Sequence, residues 1–60
     1  MNRDAELQTV YVILTAAEGS IQTAETHLRR LNEGRVMFLL QGAAHKLIEA
    51  KGEIEKERKP

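Results

Sequence analysis

The chain has no cysteine, no tryptophan, one proline, two aromatic residues and no excess of either charge sign. Each absence removes a class of explanation. Without cysteine there is no disulfide to staple a small fold and no thiol nucleophile. Nine Lys and Arg balance nine Asp and Glu, so no global field recruits nucleic acid, membrane or acidic substrate. A cytoplasmic location is the expectation, since nothing asks for an oxidising compartment. The longest apolar run near the N-terminus, Val10 to Leu14, is too short for a signal core or a membrane span, so no membrane partner is expected.

What the chain does have is period. Leu7, Val10, Leu14, Ala17, Ile21, Ala24, Leu28 and Leu31 recur at alternating steps of three and four. The pattern breaks at Asn32-Glu33-Gly34 and restarts as Val36, Leu40, Ala43, Leu47, Ala50 and Ile54. Such a heptad describes the apolar stripe of a helix. Carrying the first phase through the break would put Arg35, His45 and Glu49 on the stripe, so the chain must reverse there. The expected fold is all-α: an antiparallel two-helix hairpin in a single unit, with a first helix over about 3–33, a turn at 32–35, a second helix over about 36–57 and a frayed tail at 58–60. A strand over Val10 to Leu14 is the alternative from β propensity, but it has no second strand to pair with.

Asn2 or Asp4 is placed to cap the first helix, with Asp4 and Glu6 at its positive dipole end and Arg29 and Arg30 at its negative end. Gly34 is the natural candidate for a left-handed residue ending that helix, with Glu33 before it. No Ser, Thr or Asp stands ready to cap the second helix. Gly42 weakens that helix and suits a close backbone approach, while Gly52 marks where order should begin to fray.

If the reversal lies at Gly34, residues whose numbers sum to 67 or 68 share a level. Leu31 then lies beside Val36, Leu28 beside Leu40, Ala24 beside Ala43, Ile21 beside Leu47, Ala17 beside Ala50 and Leu14 beside Ile54. Large layers alternate with alanine layers. Sixty residues in two helices cannot enclose a core of their own, so self-association, a partner chain or a metal is required.

Two clusters are apolar on nearly every side: Val10, Tyr11, Val12, Ile13 and Leu14 near the open end, and Val36, Met37, Phe38, Leu39 and Leu40 beside the turn. A helix apolar all round is buried on more than one side. A second hairpin related by a two-fold axis perpendicular to the bundle would lay each cluster against the other, giving an antiparallel homodimer and a four-helix bundle. A foreign helical protein supplying the missing helices is the competing arrangement.

Site chemistry is sparse. His27 and His45 are too far apart to form a ligand pair, and no Glu-x-x-His repeat of the di-metal bundles occurs. His45 and Glu49 at i, i+4 read as an exposed pair. The hydroxyls of Ser20, Thr9, Thr15, Thr23, Thr26 and Tyr11 lie in no nucleophile elbow, and phosphate-binding glycine loops are absent. Neither enzyme activity, cofactor nor metal is expected. Lys51, Lys56, Arg58 and Lys59 alternate with Glu49, Glu53, Glu55 and Glu57, which reads as a solvated ion-pair run.

The expected function is that of a small helical interaction module, an adaptor, chaperone or regulator that packs its helices against others. The alternative is RNA binding through Gln8, Gln22, Arg29 and Arg30 on the outer face of the first helix. In size and architecture the chain resembles the dimeric Rop-type RNA-binding bundles, a likeness of fold that carries no recognition residue across. Small type III secretion needle chaperones and the helices of sugar phosphotransferase IIA proteins are similar only in Leu, Ala and Gly spacing.

Overall fold

The computed structural model describes residues 2–58 and is an antiparallel pair of helices, α1 over Arg3–Leu31 and α2 over Gly34–Glu57, packed along their length. There is no strand among the described residues; Val10 to Leu14 is helical. The expected tail falls partly on Lys59 and Pro60, which lie outside the described residues.

Asn2 begins α1 from extended backbone. Its side-chain oxygen accepts from the backbone N–H of Asp4 at 2.9 Å and of Ala5 at 3.3 Å. This satisfies two donors that the first turn would otherwise leave without partners. Four threonines along α1 donate to the carbonyl four residues back, at 3.0 to 3.2 Å, so their hydroxyls are taken up by their own helix.

The reversal differs from the expectation at one residue. Asn32, not Gly34, occupies the left-handed region, at φ 61° and ψ 40°, and no glycine among the described residues has positive φ. The Asn32 N–H donates to the Arg29 carbonyl at 3.2 Å and the Glu33 N–H to the Leu28 carbonyl at 3.0 Å. These two bonds form a Schellman ending, which asparagine tolerates because its short polar side chain carries a smaller left-handed penalty than most. Gly34 is thereby released to open α2, whose N-cap residue Glu33 makes no side-chain capping bond. Gly42 does not serve a close approach within the hairpin, since a Cβ there would meet nothing within 4 Å, and α2 continues through Gly52 to Glu57.

The seam is rotated from the expected stripe. Val10, Leu31, Val36 and Ala43 are exposed, and their places are taken by half-buried Tyr11, Glu18, Glu25, Met37, Ala44, Lys51 and Arg58. Leu7, Leu14, Ala17, Ile21, Ala24 and Leu28 on α1, and Leu40, Leu47, Ala50 and Ile54 on α2, belong to both the expected and the observed strip. Two cylinders in contact cover only a narrow strip of each other, and the apolar stripe here is wider than that strip. The rotation favours the side on which long side chains can lay their stems across the groove. Ile54 is the one buried residue among those described.

Because Asn32 carries the left-handed strain, Asn32→Val should lower stability by about 1–2 kcal/mol while Asn32→Gly should not. Thermal melts of the two variants check this.

Candidate interaction surface

A charged contact locks the rotated seam. Lys51 Nζ lies 2.8 Å from Glu18 Oε2 and 4.7 Å from the centre of the Tyr11 ring. Both partners of the ion pair are mostly covered, with about a fifth of each side chain exposed. The approach to Oε2 is close but off the hydrogen-bond direction, so that oxygen has no aligned donor. Contact with Glu18 holds the Lys51 ammonium above its ordinary pKa of 10.5, against the opposing effect of desolvation, with Tyr11 and Glu55 adding to it. A covered ion pair of this kind specifies register: a slip by one turn would strand both charges against apolar layers.

The open end is tied by exposed contacts. Arg3 Nη2 meets Glu57 Oε1 at 2.8 Å, and Arg58 donates to the side-chain oxygen of Gln8. Lys56 pairs with Glu53 at 3.3 Å, and Lys46 and His45 both approach Glu49, at 3.7 and 4.0 Å. No salt bridge is made by Arg29, Arg30 or Arg35 among the described residues.

The rotation splits the two expected clusters. Tyr11, Leu14, Met37 and Leu40 are half-buried in the seam. Val10, Val12, Ile13, Val36, Phe38 and Leu39 are exposed, Phe38 the most at 73 %. Helical periodicity divides the exposed residues again. Residues three beyond the shared seam row of α1 are Val10, Ala17, Ala24 and Leu31. The matching row of α2 is Val36, Ala43 and Ala50. In an antiparallel right-handed pair these rows fall on one side of the hairpin, with Ile13 and Leu39 at its edges. Of these rows Val10, Leu31, Val36 and Ala43 are exposed, Leu31 at 68 %, whereas Ala17, Ala24 and Ala50 are half-buried; Lys46, Glu53 and Glu57 continue the same side of α2. Glu18, Glu25, Lys51 and Arg58 line the other side, whereas Val12 and Phe38 point from the backs of the two helices and share no face with the apolar rows.

The candidate nucleic-acid residues are not gathered into a basic surface. Gln22 and Arg29 lie along the flank of α1 that also carries Glu18 and Glu25, and Gln8 is held by Arg58 at the far end from Arg29 and Arg30. Among the described residues no group of three or more His, Cys, Asp and Glu is placed to hold a metal ion, and no helix is long and apolar enough to cross a membrane. The residues missed by periodicity alone are Glu18 and Lys51. Their signal was present as opposite charges at one level of the hairpin, beside the stripe.

The fold and surface together define an all-α helical hairpin with large apolar side chains left exposed. Comparison with protein-family models, with curated proteins and with solved structures finds no match.

Lys51→Met should lower the melting temperature by leaving the Glu18 carboxylate covered and without its cation, and Glu18→Leu with Lys51→Met should recover much of the loss. The pH dependence follows from the raised lysine. Its contribution is fully present below pH 10.5, the ordinary lysine value, and is lost as pH climbs through the higher folded value. Alkaline unfolding of the wild type, compared with Lys51→Met, reads this directly.

Proposed function

We propose that this chain is a small helical interaction module, an adaptor, chaperone or regulator of the cytoplasm that works by packing its apolar side against other helices. The observation that carries this reading is the contrast between a single buried residue among those described, Ile54, and the large apolar side chains left exposed, Val10, Ile13, Leu31, Val36, Phe38 and Leu39 among them. A two-helix unit with that little interior gains most of its hydrophobic stabilisation only when another surface covers it. Glu18 and Lys51 meet on one side of the hairpin, and Lys46 is the charged residue midway along the other.

Sedimentation with circular dichroism on the purified chain tests the module reading. The expected result is an associating helical species, or a chain that unfolds or aggregates until a helical partner is supplied. A folded monomer at micromolar concentration contradicts it. Val10→Glu places a charge on an exposed position of the apolar row, outside the hairpin seam, and should weaken association.

RNA binding is the second reading, favoured by Arg29, Arg30 and Arg35 lacking ion-pair partners among the described residues. Glu18 and Glu25 within the same flank count against it. If it held, affinity for a structured RNA would fall by orders of magnitude between 50 and 200 mM salt, about the loss that several phosphate contacts produce. It would also depend on Arg29 and Arg30.

A further inference from the structure

We infer that the apolar side is covered by a second copy of this chain, packed face to face with its turn end lying over the open end of the first. This rests on the interaction-module reading and names its partner. Levels within the hairpin are set by Glu18 reaching Lys51 and Gln8 reaching Arg58, so residues whose numbers sum to between 66 and 69 lie side by side. A two-fold axis across the helices, in the plane of the interface, sets α1 antiparallel to the partner's α1 and α2 antiparallel to the partner's α2.

One position of that axis matches both rows. On α1 it places Val10 against the partner's Leu31 and Ala17 against the partner's Ala24, and the axis then passes between Ser20 and Ile21. On α2 it places Ala43 against the partner's Ala50 and Val36 against the partner's Glu57, and the axis passes between Lys46 and Leu47. Those two crossing points sum to 67 and therefore fall at one level of the hairpin. Two independent rows thus call for the same axis, and small residues meet small ones at the centre, where close helix approach is needed.

Charge selects this arrangement over the one with both turns at the same end. That alternative also matches alanines, Ala17 with the partner's Ala50. Over residues 29–35, however, three arginines outweigh Glu33, leaving a net charge of +2, and over 3–6 and 53–59 five carboxylates outweigh four cations, leaving −1. Turn beside turn sets like charges together at both ends, whereas turn over open end sets opposite charges together at both. The size also suits a dimer. The hairpin measures 45 by 15 by 14 Å. A face of that length and width offers roughly 700 Å² per copy, close to the ~800 Å² per partner of a stable standard interface.

Single-cysteine chains test the register. Ala17→Cys mixed with Ala24→Cys, and separately Ala43→Cys mixed with Ala50→Cys, should give covalent heterodimers under mild oxidation. Ala17→Cys alone should not, because the two thiols would lie seven residues apart along the axis, about 10 Å. Leu31→Glu, which leaves each hairpin seam intact, should weaken dimerisation at least a hundredfold by sedimentation. A dimer that instead cross-links Ala17→Cys to Ala50→Cys, or gives neither expected product, overturns the arrangement and leaves the module reading standing. A chain that is unfolded or aggregated alone overturns the second copy as occupant and points to a foreign helical protein. A folded monomer overturns both.

Discussion

Two helices side by side can hide only a narrow strip of one another, and nearly everything distinctive about this protein follows from that geometric limit. The apolar stripe of each helix is wider than the strip its neighbour covers. Some of it must remain outside, and Ile54 alone is buried among the described residues. A globular domain resolves such a surplus by wrapping more elements around it. Two helices cannot do so, and Val10, Leu31 and Val36 stay exposed beside the seam while Val12 and Phe38 stay exposed behind it.

Which part of the stripe stays outside is decided by a polar contact. Lys51 can reach Glu18 and the face of Tyr11 only if the helices turn toward that flank. Doing so draws the long stems of Lys51, Met37 and Arg58 into the groove and turns Val10, Leu31 and Val36 out. The ion pair marks the level at which the helices meet, on the flank opposite Val10, Leu31 and Val36.

The turn illustrates how short-range chemistry can be read correctly in kind and wrongly in position. Asn32, Glu33 and Gly34 all announce a reversal, and glycine is the usual residue for a left-handed position. The Schellman bonds from Asn32 and Glu33 close the helix two residues earlier, and Gly34 enters α2 with ordinary dihedrals. Local propensity ranks asparagine only slightly behind glycine here. The helix end is then set by which hydrogen bonds close around the reversal, a matter of three-dimensional geometry.

From sequence alone came the helices, their reversal and the surplus of apolar surface, because each depends on the 3.6-residue period and on capping chemistry written in adjacent residues. Rows such as Leu7, Leu14, Ile21 and Leu28 lie at the centre of the stripe, so they face the partner helix whichever way it turns. Rotation of the seam was decided by tertiary structure. Val10 and Tyr11, or Ala43 and Ala44, are neighbours on a helix, and periodicity cannot tell which of two adjacent rows a second helix will choose. That choice rests on contacts between residues 33 apart in the chain, Glu18 and Lys51, whose meeting exists only once the hairpin has closed.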